Sequence, residues 1–347
     1  MATAVGEHGT RGAVSVITTV KDGIEHLPGF FARLRATTGD IQEIIFVDDG
    51  STDGSYEAAL VAASEDPRLS VIRNDGRPGV AGARTAALSR AQAAFLWFVD
   101  CDDDWEPSII TCLVAEAART GADVVVSRLL AVDEAGRPLR VVDGMDEHRV
   151  LDSGAAVAAM LAGRLRGFLP NKLVLREVLG DDPFPSVRWE DFAAIIRAVH
   201  RSRRVAVIPD VLYRYVQRPG SVTRASSVPP GDALVCAGIA EEVWQARAEA
   251  VPRSLYEYFL AWAVVVELVH APLRLREPDA RRRPALITAL QVAHEIRLSS
   301  VARWDLRTAL LLTAIRVMRA RYRHLYRTGR VLASARHRLR RRLATDA

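Results

Sequence analysis

The stretch FLWFVDCDDDWEP, residues 95–107, places a continuous apolar run directly before four acidic side chains. Such a short apolar run indicates a strand that is buried on both faces of a parallel sheet. Asp100, Asp102, Asp103 and Asp104 follow at once. A turn or a helix cap needs one carboxylate, whereas a bound divalent cation explains several. Because open parallel sheets bind ligands outside the carboxyl ends of their strands, the stretch predicts a ligand site at a strand end.

The segments around this stretch alternate between strand and helix patterns. Helical periodicity is found at residues 56–65 and 80–94. Strand–helix alternation at this spacing predicts βαβ units and an open, mostly parallel α/β sheet. The other apolar runs that predict strands are VSVITTV at 14–20, EIIFV at 43–47, LSVIR at 69–73 and DVVVS at 123–127.

The pattern loosens after residue 128. A hairpin with a Gly-containing turn is predicted first, and Asp152 or Ser153 is the expected N-cap of the helix that follows. Later we predict a strand at 171–179, a helix at 189–202, two short strands bent at Pro209 within 205–218, and a linker at 226–232. The rest has the pattern of helices with Arg-rich polar faces, so we predict an α/β domain at 12–228 and a helical region at 232–347.

Composition restricts the class of protein. Of the 347 residues, 49% are apolar, which is enough for a sizeable core. The three cysteines form no CxxC pair, and residues 1–12 contain no apolar run, so we expect a reducing cytosol and no secretory signal. The most apolar segment, FLAWAVVV at 259–266, is followed by Glu267 and is shorter than the ~20 residues of a membrane span. We expect a soluble or peripherally attached cytoplasmic protein.

A second acidic pair, Asp48 and Asp49 in FVDDGSTDGS, follows another predicted strand. Asp, Ser and Gly are also common turn residues, so a turn is the alternative explanation for this segment. Mg²⁺ and Mn²⁺ prefer oxygen ligands and often bridge to substrate phosphates. The chain has no GxGxxG after a strand and no GxxxxGK[ST], which disfavours dinucleotide-binding and P-loop sites. A metal ion and arginines would therefore have to neutralise any bound phosphate.

Six motifs in this order and spacing resemble the family 2 glycosyltransferases, over roughly residues 13–225. The resemblance implies the GT-A fold and transfer of a sugar, with inversion, from a nucleotide-diphosphate donor to an acceptor hydroxyl. It also implies Mn²⁺ or Mg²⁺ as cofactor and a UDP-sugar as the expected donor. The motifs are VSVITTVKDG, FVDDGSTDGS, NDGRPGVAGARTAAL, FVDCDDDWEP, WEDF and LYRYVQRPGSVTR.

The same resemblance assigns roles to individual residues. Asp191 is the expected catalytic base, with the adjacent Glu190 as the alternative, and Asp102 with Asp100 is expected to hold the metal ion. The opening strand departs from the family pattern Pro-x-Tyr-Asn, since Lys21 and Asp22 occupy its last two positions. The residues expected to bind the donor are Thr19, Asp48, Asp49, Arg84, Asp100, Arg218 and Ser221.

A basic segment, residues 309–344, mixes apolar and arginine positions at helical spacing. From Arg316 to Arg342 there are eleven arginines and no acid. Three interpretations stay open: a solvated helix face, a peripheral membrane contact, and an oligomer or anionic-polymer contact. No nucleic-acid-binding motif is present. The expected acceptor is a cell-surface glycan, teichoic acid or glycolipid, and the alternatives are a sugar-nucleotide-binding protein without turnover and another nucleotide-sugar transferase.

Overall fold

The structure is a computed structural model and describes residues 12–218, 227–275 and 282–328. Contacts between residues divide the described chain into two compact units. The first contains residues 12–218 and Gly238–Val251, and the second contains 227–237, 252–275 and 282–328. The predicted division at residues 228 and 232 stays a prediction.

The strands of the first unit form a single sheet, in the order β3-β2-β1-β4-β9-β6-β10-β5, with β7 beside β6 and β8 beside β10. Strands β1, β2, β3 and β4 are parallel, and β9 runs antiparallel to both β4 and β6. The strands are β1 Val14–Val20, β2 Ile41–Asp48, β3 Leu69–Arg73, β4 Phe95–Phe98, β5 Asp104–Trp105, β6 Val124–Val132, β7 Pro138–Asp143, β8 Arg149–Leu151, β9 Lys172–Leu175 and β10 Val205–Val216.

Seven helices within residues 12–218 pack with the sheet, and α5, Ser153–Leu161, begins at a side-chain cap. The Asp152 carboxylate accepts a hydrogen bond from Ala155 N at 2.8 Å, so the predicted N-cap is confirmed. Gly121 ends α4 in the left-handed conformation, with φ of 65°. The helices are α1 Leu27–Ala36, α2 Ser55–Glu65, α3 Val80–Leu88, α4 Ile109–Thr120, α5 Ser153–Leu161, α6 Arg176–Leu179 and α7 Glu190–Arg201.

Large side chains of the central strands form the core beneath the edge where β1, β2 and β4 end. Trp97 is fully buried, and its indole N–H donates to the carbonyl of Pro170 at 2.7 Å. Trp105 is 3% exposed and stacks on Tyr213 with 6.4 Å between ring centroids. Buried aromatic residues contribute most to core energetics, so this packing fixes the ends of β4 and β10 relative to each other.

Three predicted elements differ from the structure. Residues 205–218 do not form two strands, because β10 is continuous and shifts its register between Val207 and Val211. Pro209, which has no N–H for the ladder, lies at this shift. The helix predicted at 80–94 ends at Leu88, since Gln92 N and Ala93 N donate to Glu43 and Ser15 side chains. The strand predicted at 171–179 ends at Leu175 and continues as α6.

The second unit is helical, and α8 has residues in both units. Asp305 caps α13 by accepting from Thr308 N at 3.0 Å. The helices are α8 Pro230–Gln245, α9 Arg253–Phe259, the π-helix Leu260–Val266, α10 Glu267–Arg274, α11 Arg282–Glu295, α12 Leu298–Trp304, α13 Leu306–Met318 and the 3-10 turn Arg319–Arg321.

The apolar segment 259–266 lies within a longer helical run than its sequence suggests. Glu267 does not end the helix, and the run extends from Arg253 to Arg274. By length and composition it is the one helix among the described residues that could cross a membrane, but more than half of its apolar window is buried inside the protein. The core helix of a soluble protein meets the same criteria, so the helix is weak evidence for a membrane span.

Candidate active site

The carboxyl ends of β1, β2 and β4 bring the predicted acids to one edge of the sheet. Thr19 lies near the end of β1 and pairs with Val47 of β2. Val47 is followed directly by Asp48, the last residue of β2, and by Asp49. Asp100 follows β4, which pairs with the other side of β1. Thr19, Asp48, Asp49 and Asp100 therefore share the edge at which parallel sheets bind ligands.

Asp48 and Asp49 have different roles in this edge. Asp48 is 1% exposed, and its carboxylate accepts hydrogen bonds from Gly50 N and Ser51 N, each at 3.2 Å. It therefore forms the turn, as the alternative interpretation of this segment suggested. Asp49 accepts from Asn74 Nδ2 at 2.6 Å and from Gly79 N at 2.9 Å. These bonds fix the loop before α3 to the sheet edge, and Asn74 was missed by the sequence analysis.

Asp22 connects the loops that follow β1 and β2. Its carboxylate accepts from Thr52 N at 2.8 Å, and its own N–H donates to Ser51 Oγ at 3.0 Å. Asp53 accepts from Ile24 N at 2.9 Å and reinforces the same connection. Asp22 has φ of 51°, a left-handed conformation that Asp tolerates better than most residues. Asp22, which departs from the family pattern, therefore still allows the loops after β1 and β2 to be held together by hydrogen bonds.

Arg84 connects two of the predicted acids. Its side chain is 10% exposed, donates to Glu190 Oε1 at 2.7 Å and lies 3.6 Å from Asp100 Oδ1. Arg84 is on α3, Asp100 follows β4 and Glu190 begins α7, so one guanidinium joins three separate elements. A largely buried arginine with two acidic partners is well compensated and geometrically fixed.

The four acids after β4 point to different partners. Asp100 and Asp102 have side chains that are 40% and 39% exposed, respectively. Asp103 is 2% exposed and accepts from the Tyr213 hydroxyl at 3.0 Å and from Val216 N at 2.9 Å. Asp104 lies 3.7 Å from a nitrogen of Arg214. The crowding is therefore relieved by burying Asp103 with two hydrogen-bond donors and by placing an arginine beside each of the three partly exposed acids.

Burial and neighbouring charge shift the pKa values of these groups. Burial raises the pKa of Asp100, and Arg84 opposes this effect. Burial, together with Asp100 and Asp102, raises the pKa of Asp103 well above its ordinary value. The Cys101 thiol, between these acids, has its pKa raised to about 12 by burial and by the three carboxylates. Cys101 is therefore a protonated thiol at neutral pH, and this rules out a thiolate role for it.

The accessible carboxylates can hold a divalent cation only with help from a substrate. Among the residues that the structure describes, no group of three or more His, Cys, Asp and Glu side chains could hold a metal ion. Mg²⁺ is often held by one or two carboxylates together with water and substrate phosphates, so Asp100 and Asp102 fit this chemistry. Asp102 accepts a hydrogen bond from Arg218 Nη1 at 3.0 Å, and an incoming cation would have to compete with that contact.

Asp191 and Glu190 begin α7 and differ in their surroundings. Glu190 forms an ion pair with Arg84. The Asp191 carboxylate accepts from Phe192 N at 2.7 Å. Burial and Glu190 raise the pKa of Asp191 to about 7, against the opposing effects of Arg84 and Lys172. A carboxylate with a pKa near neutrality is suited to general base catalysis, which favours Asp191 over Glu190.

Arg218 and Ser221 are the remaining residues that the sequence predicted to bind the donor. Arg218 lies at the site through its bond to Asp102, whereas Ser221 lies outside the described residues. Tyr213 and Asp143 were not predicted to contribute, whereas the position of Lys172 before a predicted strand allowed either a place at the site or a solvated lysine. Only Lys172 had a recognisable signal, a lysine next to Asn171 immediately before an apolar strand.

Residues 15–180 match the family described as "Glycosyl transferase family 2". This segment is a family 2 glycosyltransferase domain. The predicted family is thus confirmed, and so is the expectation of an enzyme of the glycosyltransferase class. The match begins at β1 and includes the two acidic loops and Arg84.

Relatives and solved structures agree with this family. "Glycosyltransferase GlyG" of Streptococcus pneumoniae serotype 4 is 28% identical over 219 residues, which cover 61% of this chain and 73% of GlyG. "Succinoglycan biosynthesis protein ExoO" of Rhizobium meliloti is 28% identical over 211 residues, which cover 58% of this chain and 60% of ExoO. Residues 1–349 of S. aureus TarS, solved in complex with UDP-GlcNAc, superpose with a TM-score of 0.67 at 19% identity.

The TarS superposition covers 91% of this chain and 92% of the TarS chain. At this level of identity it shows the fold alone. The predicted fold class, a GT-A glycosyltransferase sheet followed by a C-terminal helical region, is confirmed.

Proposed function

We propose that this glycosyltransferase moves a sugar, with inversion, from a nucleotide-diphosphate sugar to an acceptor hydroxyl. The observation that carries the proposal is the Arg84 linkage, which joins the acids after β4 to the start of α7, where Asp191 lies. A UDP-sugar is the proposed donor, and TarS, which shares the fold, was solved with UDP-GlcNAc.

The donor is proposed to lie along the edge of β1, β2 and β4. Thr19 and Asp49 would contact the base or its ribose, with Asp48 holding their loop. Arg84 and Arg218 would face the diphosphate, because preorganised cations stabilise the negative charge that develops on a leaving group. Ser221, outside the described residues, is proposed to lie near the same group.

Asp102, with Asp100 beside it, is proposed to hold Mn²⁺ or Mg²⁺. When bound, such an ion would act as a Lewis acid toward the diphosphate leaving group. Asp100 could instead contact the ribose, because 40% of its side chain is exposed.

Asp191 is proposed to remove the proton of the acceptor hydroxyl. The acceptor oxygen then forms a bond to the anomeric carbon, and the bond from that carbon to the diphosphate oxygen breaks on the opposite face. A positioned base contributes about 10²–10⁴-fold to such a step. Arg84 donates to the neighbouring Glu190, whereas Asp191 accepts from Phe192 N, so the two adjacent acids have different partners.

The acceptor is proposed to be a bacterial cell-surface glycan, teichoic acid or glycolipid. The support comes from relatives such as ExoO, which is named for succinoglycan biosynthesis. We also propose a cytoplasmic enzyme that contacts the inner face of the membrane through residues 309–344. Within the described part of that segment, Leu310 and Val317 are 63% and 76% exposed among basic residues. Basic helices with exposed apolar residues bind anionic lipid surfaces.

A two-step experiment tests the proposal. Nucleotide sugars are first screened with Mn²⁺ for their effect on the melting temperature, because a ligand of the native state raises it. Release of nucleoside diphosphate is then measured with the best donor for Asp102→Ala and Asp191→Asn. Asp210→Asn, an exposed acid on β10, is the control. Loss of release in the first two variants alone supports the enzyme. Donor binding by a wild-type protein without any release would instead identify a sugar-nucleotide-binding protein.

A further inference from the structure

An ion pair lies buried beneath the candidate site. The Lys172 ammonium donates to the Asp143 carboxylate, and these residues are 1% and 2% exposed. Asn171, which is fully buried, donates to Asp143 Oδ2 at 3.2 Å and accepts from Lys172 Nζ at 3.0 Å. Removing two charges from water costs several kcal/mol per ion before they attract each other. Such a pair therefore needs a reason beyond stability.

The pair lies at the same edge of the sheet as the acids after β4. Leu173 pairs with Trp97 of β4 and with Val125 of β6. Because β9 is antiparallel to β4, Lys172 is one position nearer than Leu173 to the end of β4 that leads to Asp100. Lys172 is thus on the strand between β4 and β6, near the end of β4 that leads to the acids.

One hydrogen bond and one close packing contact connect this pair to the first turn of α7. Asp143 Oδ1 accepts from Arg166 N at 2.7 Å, which fixes the loop before β9. The next residue, Gly167, is packed so closely on α7 that a Cβ there would lie 2.3 Å from the Cα of Phe192. Phe192 follows Asp191 directly. The loop held by Asp143 therefore sets the position of the backbone that carries Asp191.

We propose that Lys172 and Asp143 are positioning residues for Asp191, holding the first turn of α7 in place and providing a fixed positive charge beneath it. The proposal rests on the proposed function only in treating Asp191 as the base. It adds two residues that do not touch the substrate and act through the geometry and charge of Asp191.

The charges around Asp191 predict the direction in which its pKa should change when Lys172 is removed. Glu190 raises the pKa of Asp191, whereas Arg84 and Lys172 lower it. The interaction is mutual: burial lowers the pKa of Lys172 overall, and Asp143 and Asp191 oppose this effect. Lys172 thus favours the carboxylate form of Asp191, the form that accepts a proton. Without Lys172 the base would be protonated at higher pH.

The test measures the pKa of Asp191 in Lys172→Met and in the double variant Lys172→Met, Asp143→Asn. Methionine keeps most of the lysine volume, and the double variant leaves no unpaired buried acid if the single variant folds poorly. We expect the pKa of Asp191 to rise by about one pH unit in Lys172→Met, and to rise by less in the double variant, because Asp143→Asn also removes a negative charge. The control is Asp123→Asn. Asp123 is a buried acid that directly precedes β6 and pairs with Arg203, and its substitution should leave the pKa of Asp191 unchanged.

The pKa is followed by NMR of protein labelled with ¹³C at the Asp carboxyls, with the Asp191 signal assigned by its loss in Asp191→Asn. This measurement needs no substrate, so it stands even if no nucleotide sugar is turned over. Where turnover is found, the acidic limb of the pH profile of kcat/KM should move by the same amount. An unchanged Asp191 pKa in the folded double variant would overturn the positioning role and leave the proposed function intact.

Discussion

At the scale of single residues, the acids after β4 show what sequence can and cannot predict. The acids after the apolar run predicted a ligand site at a strand end, and Asp100 and Asp102 are both about 40% exposed there. The inward direction of Asp103 was not predictable, because its partners, Tyr213 and Val216, are more than a hundred residues away. Four aspartates within five positions therefore differ in their partners and exposure.

Asp191→Asn should reduce kcat by about 10²–10⁴-fold while the donor still binds, because the amide cannot accept the acceptor proton. The wild-type pKa of about 7 adds a pH dependence. Only the carboxylate is a base, so activity should rise as pH increases through 7 and fall below it. The measurement is the pH profile of kcat/KM; a profile that is flat between pH 5 and 8 would contradict the assignment.

Arg218→Gln should tighten the binding of Mn²⁺ in the absence of donor. Arg218 Nη1 lies 3.0 Å from Asp102 Oδ2 and competes with a metal ion for this carboxylate. Free Mn²⁺ is quantified by electron paramagnetic resonance during titration, and a several-fold lower Kd is expected. Arg214→Gln, which removes a neighbouring arginine that pairs with Glu106 and Asp104, is the matched control. Equal Mn²⁺ affinity in the wild type and Arg218→Gln would mean that the ion pair does not compete with the metal.

At the scale of elements, β10 shows why extended structure can be predicted from sequence while the number of strands it forms cannot. Its composition indicated extended structure, and Pro209 suggested a break. The structure keeps one strand, since β6 pairs with it on both sides of the register shift. Tyr213 and Val216 lie on the far half of β10, and that half shapes the acidic loop. Pairing over long sequence separations, rather than local preference, decides this outcome.

Tyr213→Phe should destabilise the protein by about 1–3 kcal/mol, because it removes a donor from the buried Asp103 carboxyl. The Tyr213 hydroxyl also accepts from Asp100 N at 3.3 Å, so the loop of the acidic cluster loses a second contact. The midpoint of denaturant unfolding measures the loss. Tyr215→Phe on the same strand should cost less, and equal losses would show that the hydroxyl of Tyr213 has no special role.

Gly82→Ala should weaken donor binding through α3. A Cβ at Gly82 would lie 1.7 Å from the carbonyl oxygen of Arg77, so the loop before α3 must move. That loop provides Asn74 and Gly79 N to Asp49. Calorimetry with the donor should show a lower affinity. Gly238→Ala, where a Cβ meets open space, is the control, and an unchanged affinity in Gly82→Ala would contradict the predicted coupling.

At the scale of the whole molecule, the helical unit provides the proposed membrane contact. Leu306, Leu310 and Val317 are 65%, 63% and 76% exposed, and their spacing places them on one face of α13. The double variant Leu310→Ser, Val317→Ser should lose most co-sedimentation with vesicles that contain anionic lipid. Leu60→Ser, Val61→Ser changes an exposed apolar pair on α2 and should not. Equal sedimentation of both double variants would reject the contact.

The sequence predicted most of the sheet and the strand ends that carry the acids, but not the interactions that support those acids. Apolar runs and acid-rich loops are local signals, so β1 to β4 and the acids at their ends could be inferred. Lys172 gave no decisive signal, since a lysine before a strand is usually solvated and only the fold brings Asp143 to it. Motif resemblance located Asp191, and burial, which no local pattern encodes, raises its pKa.

The bond between Tyr213 and Asp103 joins residues that are 110 positions apart in the chain. Synthesis proceeds from the N-terminus at about 5–20 residues per second, and domains begin to fold as they emerge. The acidic loop is complete before β10 has been made, so for several seconds its buried carboxyl has no partner. We expect a newly made chain to be unable to hold a nucleotide sugar until β10 has joined the sheet. Release of an active enzyme from the ribosome is thereby tied to completion of the whole sheet.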